Sequence, residues 1–516
     1  MEGYYIMNGM GIIPADTTVI EEGNFKDCTE LTSIVIPGFV TEVEDGAFRG
    51  CVNLRSIKVD PSNEVYDSRE DCNAIIETET NSLVVGCAKT KIPQGVEVIG
   101  DYAFYDCKCL KSIEIPASVE RIGEYAFYDC KGLKSIEIPA SVTEIGEHAF
   151  EDCINLENIE VSPDNKVYDS REDCNALIET ASNTLLRGCP TSTIPEGVTT
   201  IEFRAFDGYQ KLKNIEIPAS VRVIEGYAFT ECGIEQLELP PSVEEIGESA
   251  FQNCEKLKSL VIPASVRVIG DGAFFECHKL ESIEILSSEV EIGEGAFEDC
   301  PALKTVKMPY VKEYHGWFVD SVNLTNVEMP SVEVIGDNAF AGQKKLKRLV
   351  FPKLLEVGEE AFKGCTGLTN IMMPSVVEVK SGAFYDCTKL NEIEMSSVQE
   401  VGESAFVGCT ALESVELPSL EAIGDEAFGG CSRLRSVKVS SNKEEIDGSP
   451  FASCENLTSF ELLTAEHGDE LDDYGLLDSN MNLREIIVPA GTGEHFKKRA
   501  KDMMMDRIIV EREPEE

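Results

Sequence analysis

Tryptophan occurs once in these 516 residues and histidine five times, and Lys and Arg together number 45 against 94 Asp and Glu. A formal net charge of -49 excludes the basic footprint that DNA, RNA or an anionic membrane requires, and leaves basic or cationic partners open. No run of 18 apolar residues occurs, so no helix is expected to cross a bilayer. The opening MEGYYIMNGM carries neither a basic leader nor an apolar stretch of signal length. As written the chain is expected to be soluble, and cytoplasmic if Met1 is the native start. The histidines, His148, His278, His315, His467 and His495, are scattered, and no Ser-His-Asp arrangement or metal spacing emerges from them. The glycine pairs GDG at 270–272 and GTG at 491–493 lack a phosphate-loop context and read as turns. No catalytic residue, cofactor or metal site is therefore expected.

What the chain has is a period. Phenylalanine returns at positions 25, 48, 104, 127, 150, 206, 229, 251, 274, 297, 318, 340, 362, 384, 406, 428 and 451, which takes 17 of the 23 phenylalanines. The gaps are 21 to 23 residues except for two of 56. Such spacing is the mark of a solenoid. One unit reads IPASVERIGEYAFYDCKGLKSIEIP. Its I-x-I alternation predicts a short strand with both isoleucines facing one side, and proline ends that strand because it has no N–H for a ladder. The glycine of each IG pair, such as Gly123 and Gly146, is expected to permit a tight corner.

The two long gaps share VYDSREDCNA, at 65–74 and again at 167–176, and NAIIETETNSLVVGC predicts a β-hairpin in the insert. The unit IGxxAFxxCxxLxxIxIPxSV, running from about residue 12 to 462, resembles the BspA-like, or Treponema-type, leucine-rich repeats. That resemblance implies a mainly β repeat solenoid, a curved stack of about 18 rungs with two hairpin-type inserts and a small C-terminal cap. Residues 1–20 are then an N-terminal cap and first partial repeat, and 21–462 are the repeats, elaborated at about 61–96 and 163–198. Residues 463–516 form a degenerate last repeat and cap.

Nineteen cysteines raise the question of metal or disulfides. Fourteen fall three residues after the repeating phenylalanine, and other rungs place Tyr209, Ser321, Gln343 or Asn480 there. A position that accepts tyrosine or glutamine is not a shared metal ligand, and stacked thiols lie farther apart than the ~3.8 Å between the Cβ atoms of a disulfide. A ladder of buried free thiols is predicted. Cys72 with Cys87, and Cys174 with Cys189, sit in the inserts at a 15-residue separation, where a disulfide stays open.

The residue between the two inward isoleucines faces away from the core. That column reads Glu114, Glu137, Glu160, Glu216, Glu238, Glu284, Glu328, Glu394, Glu416 and Glu461. Beside it stand Ser112, Ser135, Asn158 and Asn214. Three positions earlier, Lys111, Lys134, Lys213, Lys258, Lys304 and Lys347 are expected to offset the repulsion, which in water is ~1 kcal/mol at 5 Å. The column turns apolar at Val350 and Met372. Nearby, YVKEYHGWF breaks the repeat, and Trp317 replaces the repeat alanine, either as extra packing or as a binding anchor. Two roles suit the glutamates: keeping a long sheet face soluble, or recognising a basic protein segment or cations.

The resemblance implies a non-catalytic protein-binding repeat protein, a cell-surface or secreted adhesin that meets host or matrix macromolecules. An intracellular interaction scaffold of the same shape is the alternative. Neither composition nor spacing names the ligand or the oligomeric state.

Overall fold

A computed structural model describes residues 4–318, 321, 323–440, 445–446, 448–463, 482–500 and 508–512. It is a β-solenoid of about 20 turns with almost no helix. Two compact units divide it, Met1–Leu257 with Val268–Phe274, and Lys258–Arg267 with Phe275–Glu516. The acidic stretch 465–475 and position 480 of the cysteine column lie outside the described residues.

Each unit stacks parallel strands in two ribbons, where the sequence indicated only one. The expected I-x-I strands form the first ribbon: Ser135–Ile138 pairs with Asn158–Val161 in the first unit, and Ser259–Ile262, Ser282–Ile285, Thr305–Lys307 and Asn326–Glu328 pair in order in the second. The second ribbon is built from two-residue strands such as Val98–Ile99, Arg121–Ile122 and Glu144–Ile145. Two residues are too few to show an alternation, so periodicity could not reveal them.

The repeating phenylalanine stands at the corner between the ribbons, and its ring stacks on those of adjacent rungs. Phe104 and Phe127 have centroids 5.0 Å apart and planes 6° from parallel; Phe384 and Phe406 are 5.0 Å apart at 4°. The backbone is satisfied on both sides of the ring. Phe127 N–H donates to Ala149 O at 2.8 Å, and the Phe127 carbonyl accepts the thiol of Cys153 at 3.2 Å.

That second bond recurs along the cysteine column, from Cys51 onto Phe25 O at 3.0 Å to Cys454 onto Phe428 O at 3.3 Å. Two of the residues that replace cysteine also donate to the preceding rung, at the carbonyl of its cysteine, whereas Gln343 Oε1 lies buried without a partner among the described residues. The Tyr209 hydroxyl donates to Cys153 O and the Ser321 hydroxyl to Cys300 O, both at 3.3 Å, so the position supplies a donor to a buried carbonyl. None of the nineteen cysteines forms a disulfide, Cys72, Cys87, Cys174 and Cys189 included.

The glycine of the IG pair has a different reason from the one expected. Its φ is not positive; the left-handed corner lies two residues later, at Tyr125 (φ 52°), His148 (φ 56°) or Gly272 (φ 58°). At the IG glycine a Cβ would meet the backbone of the preceding rung, 2.5 Å from Glu124 N in the case of Gly146. Close stacking, not turning, excludes a side chain there.

The inserts are three-stranded antiparallel elaborations whose last strand rejoins the short-strand ribbon. In the second, Tyr168–Asp169, Leu177–Glu179 and Thr184–Arg187 are ordered in sequence, and Thr184–Arg187 then pairs in parallel with Thr200–Ile201. Gly86 and Gly188 follow these last strands, and a Cβ on either would lie 2.1 Å from Cε1 of Phe104 or Phe206. Gly188→Ala is therefore expected to overpack the core and cost about 2–3 kcal/mol in urea unfolding, with Gly86→Ala matching it. Unchanged midpoints for both would refute this account of the insert junctions.

At the C-terminal end Ser459–Leu462, Glu485–Val488 and Ile509–Glu511 pair in parallel, with the helix Gly493–Ala500 between the last two. Arg512 closes that edge through Glu461 at 2.6 Å.

Candidate binding face

The strand alternation points one row of side chains out of each I-x-I strand, buried-exposed by turns, as in Ser135–Ile138. In the first unit Glu114, Glu137, Glu160, Glu216 and Glu238 are exposed, with Ser112, Ser135, Asn158 and Asn214 beside them, but only Glu137 and Glu160 lie on formed strands; Asn214 makes a single bridge to Gln236. Glu137 lies directly opposite Glu160, and Ser135 opposite Asn158. The second insert falls between the rung of Glu160 and that of Glu216, so the five glutamates are not one unbroken row.

In the second unit the row is mixed. Val261, Glu284, Lys307 and Glu328 follow one another in register, and Lys307 sits 3.5 Å from Glu328. Glu416, Lys438 and Glu461 repeat that order, with Lys438 3.8 Å from Glu461. A column chosen for its glutamates passed over Val261, Lys307 and Lys438, although the frame L-x-x-V-K at Leu303–Lys307 and Leu434–Lys438 marks the same place as L-x-x-I-E. The lysines expected to offset the glutamates serve another row. Lys134 pairs with Glu157 at 3.2 Å, Lys213 with Glu235 at 3.6 Å and Lys304 with Glu281 at 3.0 Å, each a neighbour in the lysines' own column.

Val350 lies opposite Met372, and Met372 opposite Glu394. Val350 is 44% exposed, and it lines a depression of about 660 Å³ together with Glu284, Lys307, Glu328, Arg348 and Pro330. Arg348 reaches across to the Met372 sulfur at 3.6 Å. Hydrogen bonding from Asn326 at 2.8 Å, with Lys307 adding to it, holds the Glu328 carboxyl below its usual range. The depression thus offers an apolar floor between fixed charges of both signs.

Trp317 stands apart from this row. Its half-buried ring meets Tyr314 edge-on at 5.4 Å, and buried Tyr314 intervenes in the phenylalanine stack, 4.7 Å from Phe340. The break in the repeat is filled by that aromatic pair. Among the described residues no group of three or more His, Cys, Asp or Glu is placed to hold a metal ion, and no helix is long and apolar enough to cross a membrane.

Stacked rungs, an outward strand row and a phenylalanine-cysteine core define a leucine-rich-repeat solenoid. The chain belongs to the BspA type leucine rich repeat region family, which matches over residues 10–81, 75–174, 188–304, 314–419 and 377–493. It is similar to a leucine rich cell surface protein of Faecalibacterium prausnitzii at 32% identity, over 54% of this chain and 79% of that one, with a TM-score of 0.43. A leucine-rich repeat protein of Bacteroides ovatus is similar at 24% identity over 94% and 97%, with a TM-score of 0.30. One from Eubacterium ventriosum is similar at 26% identity over 64% and 81%, with a TM-score of 0.46. No curated protein matches the chain.

Proposed function

We propose that this chain is a non-catalytic adhesin-like module that binds a protein partner through its outward strand row, with the strongest contact in the depression at Val350, next to Met372. Family membership supports binding as the activity, because the repeats of this class are protein-interaction folds. The observation that carries the location is exposed Val350, lining a depression large enough for a side chain within a charged strand row, with half-buried Met372 opposite it. Binding energy concentrates where apolar anchors are fully desolvated, and rim charges mainly set orientation and rate. Glu284, Glu328 and Glu394 favour a partner segment with a basic residue next to an apolar one. Glu114, Glu137 and Glu160 then supply steering toward that segment, and a surface location follows from the adhesin role.

The test compares capture of partners by immobilised wild type, Val350→Asp with Met372→Lys, and Glu114→Lys with Glu137→Lys and Glu160→Lys. The first variant is expected to lose at least about tenfold in affinity at any ionic strength. The second is expected to lose only the salt-sensitive part of association. Equal recovery by all three proteins would remove the strand row as the binding face.

A further inference from the structure

Both inserts interrupt the short-strand ribbon. Glu42–Val43 and Glu144–Ile145 are the last strands of their sheets, and the insert after each belongs to a different sheet. The freed edge is capped in the same way twice, Val43 N–H donating to the Tyr66 hydroxyl at 2.9 Å and Ile145 N–H to the Tyr168 hydroxyl at 3.0 Å. The space left between rung and insert is not the same. It is about 20 Å³ at the first insert and about 460 Å³ at the second.

The shared VYDSREDCNA stretches fix which residues correspond, and the differences account for the opening. At the first insert Arg49 lies 4.9 Å over the Tyr105 ring and fills the gap. At the second, Asp207 stands where Tyr105 does, Glu151 where Arg49 does, and Arg187 where Val85 does. Glu151 is tied to His148 at 2.6 Å and to Arg204 at 2.7 Å. A large ring has given way to an open space, and an apolar side chain to a guanidinium.

Arg187 is 4% exposed. Its Nη1 donates to Arg204 O at 2.7 Å and its Nη2 to the Tyr209 hydroxyl at 3.3 Å, and its guanidinium lies 5.1 Å over the Tyr209 ring. Its Nε–H has no acceptor among the described residues, and no described carboxylate forms an ion pair with it. Asp207, pushed up to about 6 by burial, makes its ion pair with Arg204 at 3.1 Å and none with Arg187. A buried fixed cation with an unused donor is a costly thing to leave unmatched.

We propose that this gap is a binding site for a small monocarboxylate with an aromatic or branched apolar body. The carboxylate lies against the Arg187 guanidinium on the cavity wall, and the body lies among Ile145, Phe150, Leu177 and Leu186. A carboxylate is acceptor-only and matches the guanidinium in charge, which a neutral acceptor does not. Glu147 and Glu202 stand on the outer wall, and their charge rejects polyanions such as nucleotides while tolerating a ligand whose single charge lies deep. This site is separate from the proposed protein-binding depression, so either can fail without the other.

Isothermal titration of the full chain with 2-naphthoate and with neutral 2-naphthamide tests it. Wild type is expected to show one saturable site per chain, with naphthoate at least about tenfold tighter than the amide. Arg187→Val, which installs the residue of the first insert, is expected to lower naphthoate affinity about tenfold and abolish the preference. Leu177→Trp is expected to fill the cavity and abolish both titrations while the protein keeps a cooperative melting transition. The absence of saturable binding at millimolar ligand, equal binding of acid and amide, or unchanged affinity in folded Arg187→Val overturns the proposal. If Arg187→Val does not fold, the acid-to-amide ratio on wild type and the Leu177→Trp result decide it.

Discussion

Raised from pH 8 to pH 11 at constant ionic strength, the protein is expected to lose its fold in a steep transition centred near pH 10. The cause is the thiol column. Burial pushes Cys51, Cys153, Cys365 and Cys454 up to about 12, and it also raises Cys130, Cys254, Cys409 and Cys431 well above the ordinary value. An unfolded cysteine ionises near ~8.5, so above that pH the unfolded chain releases protons that the folded chain retains. The stability contributed by protonated, buried thiols is complete below the unfolded value and is lost as pH rises toward the folded one. Each such thiol removes about 1.4 kcal/mol per pH unit in that window. Four of them remove about 5–6 kcal/mol per unit, against the 5–15 kcal/mol that holds an ordinary domain. The measurement is far-UV circular dichroism against pH, alongside thiolate absorbance. Replacing Cys365, Cys387, Cys409 and Cys431 by serine, which Ser321 shows can donate to a buried carbonyl, is expected to move the transition upward within the second unit. Thiolates of the column cysteines forming below pH 9.5 with the fold intact, measured with exposed Cys109 replaced by serine, would contradict the buried ladder.

The same column shows how far the sequence can be read and where it stops. Phenylalanine and cysteine recur in a fixed frame because every rung presents the same two places to its neighbours, so a single period exposes the core. The I-x-I strands were legible for the same reason. The donor role of cysteine was half visible: Tyr209 and Ser321 are unlike in size and alike in carrying a hydroxyl. What the letters do not carry is the relation between rungs. Lys134 next to a column of glutamates reads as their counter-charge, yet its partner is Glu157, one rung on in its own column. The Glu284, Lys307 and Glu328 alternation emerges only when strands are set in register. The cavity at the second insert was hidden more deeply. Both inserts share VYDSREDCNA, and the residues that separate a filled gap from an open one, Val85 against Arg187 and Tyr105 against Asp207, lie outside it. A shared motif reports a shared backbone and says nothing of the side chains that fill it.

Phe384→Ala is expected to destabilise the second unit by about 3–5 kcal/mol, and the location of the damage distinguishes a nearest-neighbour stack from an ordinary core. The Phe384 ring lies 5.0 Å from both Phe362 and Phe406, within 5° of parallel to each, and is fully buried. Truncation removes two stacking partners at once, each worth ~0.5–1.5 kcal/mol beyond area, and opens a void that backbone bonds on both sides keep from collapsing. Phe384 N–H donates to Ala405 O and Phe362 N–H to Ala383 O, both at 2.7 Å, so the rungs cannot close in without giving up those bonds. Phe384→Leu, which keeps most of the volume, is expected to cost about half as much. In hydrogen exchange the alanine variant is expected to lose protection from about residue 357 to 409, while the strands around Phe104 and Phe127 exchange as in wild type. A globular core spreads such a defect over every element that packs on it. If protection falls equally in both units, energy is shared beyond adjacent rungs, and the additive picture of this solenoid fails.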